Sequence, residues 1–203
     1  MPGPITHLKS AYFFAEMLDI KDRPMLYLGA ICPDSVNVYG HAPKELRWPA
    51  HLRDSNLNIW LNNAKEFYDQ NNVKIHREYL LGYILHIVTD IVWDMYFDKL
   101  LFKALKTQIV DADNFKDTRW QELYGYEQEQ LKCNWAKEMI NDLSLSKPLE
   151  IGTLKLKEIE KMKQSVINND ISKGRKPSVL DDNFMRSFYI KVVETMQNTI
   201  KIK

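Results

Sequence analysis

The feature that most constrains this chain is an apolar stretch from about Lys74 past Phe97 in which Gly82, His86, Asp90 and Asp94 recur at every fourth position. The stretch is apolar around most of a helical circumference, as expected of a helix at the centre of a bundle. On such a helix residues four apart share a face, each about 40° further round than the last. An imidazole and two carboxylates left unpaired in a core are costly, so something must neutralise them. A divalent cation does this directly, because the spacing lets a histidine nitrogen and an aspartate oxygen converge on one ion, with Gly82 leaving space beside them. The alternative is a hydrogen-bonded His–Asp pair with the remainder facing solvent. The same polar residues argue against a transmembrane segment over Tyr79 to Phe97, since burying them in lipid is expensive.

The rest of the sequence is compatible with helices packed around that centre. With 203 residues, 45% hydrophobic, the chain can bury one sizeable core, so residues 1–203 are expected to form a single all-α domain. Apolar residues fall at three- and four-residue intervals, and no segment alternates as a strand would. Helices are expected from about Thr6 to Leu18 and from Asp22 to Leu28, where Gly29 would end the second. Prolines and glycines between Gly29 and Pro49 predict an ordered loop. Further helices are expected from a Ser55 cap to Tyr68, from Lys74 past Phe97, and over Asp98 to Val110. Beyond those, the pattern predicts helices over Trp120 to Leu143, over Leu154 to Asn168, and from Asp181 onward, with Asn168 to Pro177 as a loop.

Composition narrows the partners. The 28 Lys and Arg nearly balance 27 Asp and Glu, which leaves no strong nucleic-acid signal, so an anionic substrate must be captured locally. Cys32 and Cys133 form no metal or redox spacing and are expected to be buried thiols. The first residues, Met1 to Pro4, do not read as a secretory signal, so a cytoplasmic location is expected.

Other donors become meaningful in company. Asp34 follows Pro33 in the proline-bounded loop, and His51 heads His51-Leu52-Arg53-Asp54. A four- or five-coordinate zinc needs three or four nitrogen and oxygen donors, which His86 and Asp90 with Asp34 and His51 would supply. His7 on the first helix is a further candidate, while His41 and His76 read as ordinary histidines. Trp120, Tyr124, Tyr126 and Trp135 are compatible with either a pocket wall or core packing.

Four segments, taken in order, resemble the zinc-dependent phospholipase C family of bacteria, whose superfamily includes single-strand-specific zinc nucleases. They are Thr6-His7-Leu8, Leu28-Gly29-Ala30-Ile31-Cys32-Pro33-Asp34, His51-Leu52-Arg53 and Gly82-Tyr83-Ile84-Leu85-His86-Ile87-Val88-Thr89-Asp90-Ile91-Val92-Trp93. The resemblance covers about the first hundred residues and stops at Leu101. It implies a helical fold around a metal cluster, with Asp34, His51, His86 and Asp90 forming one zinc site. It also implies that His7 and a bridging Asp90 hold a second zinc, together with the amino group of a processed tryptophan. This chain reads Met1-Pro2 there, and it has no histidine after His86 to supply the family's third site. Asp94 is the nearby substitute, and one or two ions of zinc or another divalent metal are expected.

The resulting expectation is a hydrolase of phosphoric esters acting on a small phosphoester or phospholipid head group, with metal-activated water as nucleophile. Asp34 would be a ligand or orient the water, and Arg53 would steady phosphate charge. The alternative is a non-catalytic helical protein in which the same residues hold a structural ion.

Overall fold

A computed structural model describes residues 2–108 and 112–201. Among the described residues there are ten α-helices and no β-strand. Helix α1 spans Pro4–Leu18, with Pro4 at its first position, where a missing N–H costs nothing. Helix α2, Arg23–Ile31, is capped by the Asp22 carboxylate, which accepts from Met25 N at 3.4 Å.

Gly29 does not end α2 but lies inside it, and Gly82 sits opposite it on α5, Arg77–Val92. A Cβ on Gly29 would collide with the Tyr79 carbonyl oxygen, and one on Gly82 with that of Leu26. The two glycines therefore permit backbone contact between α2 and α5, which form the most extensive helix pair of the molecule. The space that Gly82 leaves is filled by α2 rather than standing open beside the polar stripe.

Between Gly29 and Pro49 the breakers shape helices instead of abolishing them. After α2 the chain tightens into a 3₁₀ segment, Cys32–Asn37, with Pro33 in its first turn. Helix α3, Lys44–Ala50, starts after Pro43 and carries Pro49 in its last turn, where it offers no N–H to the carbonyl four residues back and the helix stops one residue later. Helix α4, Leu57–Asn71, is capped by Asn56 and not Ser55; the Asn56 side chain accepts from Asn58 N at 2.9 Å and Ile59 N at 3.4 Å.

Helix α5 is the centre. Every residue from Tyr79 to Val92 is buried, including His86 and Asp90, and α1, α2, α4 and α10 pack around it. It continues through a π-helical segment, Trp93–Phe97, into α6, Asp98–Leu105, and a 3₁₀ turn, Lys106–Gln108. The expected helix end at Val110 falls outside the described residues. The run Arg77–Gln108 is long and apolar enough to cross a membrane by composition, yet 83% of its apolar window is buried inside this fold.

The single helix expected over Trp120 to Leu143 is two, α7, Ala112–Gln130, and α8, Asn134–Leu145, because the chain turns at 131–133 while the apolar spacing runs on across the break. Helix α9, Leu156–Ile167, and α10, Asp182–Ile200, complete the set; Asp181 caps α10 by accepting from Phe184 N at 2.8 Å. Trp60, Trp93, Phe14 and Phe188 are fully buried, each worth roughly 1.5–3 kcal/mol or more by area.

Candidate metal centre

Four separate elements bring five donors together. His7 comes from α1, Asp34 from the 3₁₀ segment, His51 from the residue closing α3, and His86 and Asp90 from α5. Their ligand atoms make two groups within 4.8 Å that share His86: one of His7, His86 and Asp90, the other of Asp34, His51 and His86. Asp90 Oδ1 lies 3.5 Å from His7 Nε2, and its Oδ2 lies 3.8 Å from His86 Nε2 and 3.9 Å from His51 Nε2. Asp34 Oδ1 is 3.3 Å from His51 Nε2. The His7 and His86 rings stack, 3.7 Å apart and 11° from parallel.

Backbone carbonyls orient two of these imidazoles. His86 Nδ1 is 2.7 Å from the Ala30 carbonyl and His51 Nδ1 is 2.8 Å from that of Arg47. Carbonyls only accept, so each Nδ1 carries a proton; His86 Nε2 then presents a lone pair to the cluster, the usual support for a metal-binding histidine, while His51 Nε2 faces Asp34 Oδ1. The close crossing of α2 on α5 puts Ala30 in place. Leu52 adopts φ 50°, a strained conformation for leucine, at the turn separating His51 in the cluster from Arg53.

Apart from Asp34, which receives Asn37 Nδ2 at 3.3 Å and faces His51 Nε2 at the same distance, the ligand atoms of the cluster meet no well-formed hydrogen-bond partner. Both nitrogens of His7, Nε2 of His51 and of His86, and both oxygens of Asp90 are buried and unpartnered; among the described residues only Ser35 Oγ and Arg119 Nε share that condition. An unmade buried hydrogen bond costs about 1–3 kcal/mol, and these are concentrated at one point. Mixed imidazole and carboxylate donors at this spacing suit zinc or a similar divalent cation.

Electrostatics follow from burial. Burial pushes the Asp90 carboxyl up to about 7, holds His86 down at about 4, and holds His7 well below its ordinary value. For Asp34 and His51 burial opposes charge, but their mutual proximity outweighs it: Asp34 falls well below the usual carboxylate range and His51 rises. A cation would invert this logic at Asp90 by stabilising its ionised form.

Asp34 also opens onto a cleft of about 860 Å³ whose wall includes Arg53, Asp94, Arg119, Trp120, Tyr124 and Glu127. Asp94 belongs to neither donor group; its Oδ2 receives Arg53 Nη2 at 2.9 Å, and the Arg53 guanidinium lies 4.5 Å from the Trp60 ring. Tyr126 is buried away from the cleft, and Trp135 packs against Tyr12. His41 lines the cleft, whereas His76 joins Asp22 and Glu78 in a solvent-accessible group. Cys32 is buried as expected, but Cys133 is only half-buried.

Glu127 was not singled out by sequence. It lies on the buried face of α7 with Leu123, Tyr126 and Gln130, a face too polar to stand out as an apolar stripe in the sequence. Burial pushes it up to about 7, and its Oε1 receives Thr6 N at 2.9 Å and Thr6 Oγ at 2.7 Å. Comparison with models of known families, with curated proteins and with solved structures finds no match to this chain.

Proposed function

We propose that this protein is a metal-dependent hydrolase of phosphoric esters, similar in chemistry to the zinc-dependent phospholipases C. The observation that carries the reading is the knot of unpartnered donors, His7, His51, His86 and Asp90, with Asp34 at the boundary between that knot and the cleft. A zinc or similar ion held by these residues would lower the pKa of a coordinated water and polarise a phosphoryl oxygen.

The chain's own groups divide the remaining work. Asp34 keeps its charge well below the usual carboxylate range, so it is a weak proton acceptor suited to ligating and to orienting a water through a hydrogen bond. Arg53, held by Asp94, offers guanidinium donors to phosphate oxygens. Glu127, whose carboxyl burial pushes up to about 7, stands in the same cleft wall.

The test is cleavage of 4-nitrophenyl phosphate, of bis(4-nitrophenyl) phosphate and of a short-chain phosphatidylcholine by the purified protein. Chelation should abolish the rate and zinc should restore it. A second reading, a helical binding protein with a structural ion, is favoured by the burial of His7, His51, His86 and Asp90, each at most 1% exposed. Retained metal with no turnover of any phosphoester would select it.

A further inference from the structure

Two arginines face the cleft on matching supports. Arg53 Nη2 donates to Asp94 at 2.9 Å, and Arg119 Nη1 donates to Asp98 at 2.7 Å. Asp94 lies in the π-helical segment Trp93–Phe97 and Asp98 follows it, where Trp93 Nε1 also donates to Asp98 at 3.2 Å. Each guanidinium rests on an indole, Arg53 at 4.5 Å from Trp60 and Arg119 at 4.9 Å from Trp120. Anchoring and stacking remove most of the freedom an arginine would otherwise lose on binding a ligand.

Arg119 carries a further clue. Its Nε is buried and has no hydrogen-bond partner, although its Nη1 is engaged by Asp98. A guanidinium presents its donors as a planar fork matched to two oxygens of one phosphate. An anion in the cleft would complete that fork.

We propose that Arg53 and Arg119 clamp a phosphate carrying two negative charges, so that the cleft takes phosphomonoesters in preference to diesters with neutral or zwitterionic heads. Lys116, one turn before Arg119, and Lys161 line the same cleft and extend its positive wall. Acidic groups offset part of this charge, since Asp94 pairs with Arg53 and Asp98 with Arg119, but those pairings fix the two guanidiniums in place while Arg47, Lys116 and Lys161 supply further positive charge on the same wall. A monoester phosphate has its second pKa near 6 and is a dianion at pH 8, whereas a diester carries one charge.

The clamp rests on the hydrolase reading for turnover but not for binding, so binding is measured first. Calorimetric titration of the full chain at pH 8 with inorganic phosphate and with dimethyl phosphate should show clear preference for phosphate. Arg119→Gln should weaken phosphate binding by about tenfold or more, the scale of one charge-assisted hydrogen bond, with dimethyl phosphate much less affected. Bound metal, measured in the same samples, should be unchanged. Arg119→Lys keeps the charge without the fork and should recover only part of the affinity; it decides the matter if Arg119→Gln does not fold. Equal binding of the two anions by the wild type, or wild-type phosphate affinity in folded Arg119→Lys and Arg119→Gln, would overturn the clamp. Preferential phosphate binding without turnover would remove the hydrolase reading and leave the clamp standing.

Discussion

Two carboxylates, Asp90 on α5 and Glu122 on α7, are equally inaccessible to solvent, yet their surroundings are opposite. Glu122 Oε1 receives the backbone N–H groups of Ser178 at 2.7 Å, Val179, and Leu180 at 2.9 Å, and its Oε2 receives the Ser178 hydroxyl at 3.2 Å. It pins the segment before α10 against α7, and its charge is already solvated by protein. Asp90 accepts nothing on either oxygen and faces three imidazoles. Burial of a carboxylate therefore does not by itself mark a site; a buried carboxylate denied donors and surrounded by other acceptors does. Glu127 stands between the two, buried and pushed up to about 7 by that burial, but satisfied on Oε1 by Thr6.

Removing the satisfied carboxylate should have the largest effect on stability. Glu122→Ala strands three backbone N–H groups, at about 1–3 kcal/mol for each buried group left unmade. Denaturant unfolding should register a loss of several kcal/mol, while metal content per folded molecule stays as in the wild type. Loss of metal with unchanged stability would dissolve the contrast with Asp90.

Removing the unsatisfied carboxylate should do the reverse. Zinc at a hundred times its dissociation constant stabilises a folded protein by about 2.7 kcal/mol, or roughly 5–10 °C in Tm for a chain of this size. Asp90→Asn should erase most of that rise and lower retained metal, with helical content by circular dichroism unchanged. A full zinc-dependent shift in the variant would exclude Asp90 as a ligand.

The effect of pH sharpens the same contrast. The Asp90 carboxyl is raised to about 7 from an ordinary 3.8, so in metal-free protein its contribution is fully present below 3.8 and is lost as pH rises toward 7. His86, lowered to about 4 from 6.5, works the other way, its contribution being lost as pH falls from 6.5 toward 4. The two largely offset in the metal-free form. A cation, however, competes with the Asp90 proton, so the zinc-induced Tm rise should grow steadily from pH 5 to pH 8. A rise independent of pH would argue that the metal sits elsewhere.

Asp94→Asn should do much less, because Asp94 holds Arg53 at the half-exposed cleft wall and not an ion: under about 1 kcal/mol in stability, with metal retained. The smallest change is expected for Glu127→Gln, whose side-chain oxygen can still accept from both Thr6 donors; its unfolding midpoint at pH 6 should match the wild type within about 0.5 kcal/mol. A large loss there would mean that Glu127 acts as a charge.

The all-helical architecture and the burial of α5 with its His86–Asp90 stripe are legible along the chain, because a period near 3.6 and a polar break in an apolar helix are local properties. The sequence also named His7, Asp34 and His51 as candidate donors, because His86 and Asp90 alone are too few to hold an ion. Only the packing of the helices brings these donors together, since His7, Asp34 and His51 lie on three separate elements, and the Gly29–Gly82 crossing sets the close approach of α2, and of the Asp34 segment that follows it, to α5. Packing likewise separated Asp94 from the cluster: four-residue spacing makes it a neighbour of Asp90, but the backbone becomes π-helical at Trp93 and Arg53 captures its carboxylate. Glu122, Glu127 and Arg119 could not be ranked from sequence, because whether a buried polar atom is satisfied depends on which distant backbone N–H groups or side chains reach it, and that is fixed only when the helices pack.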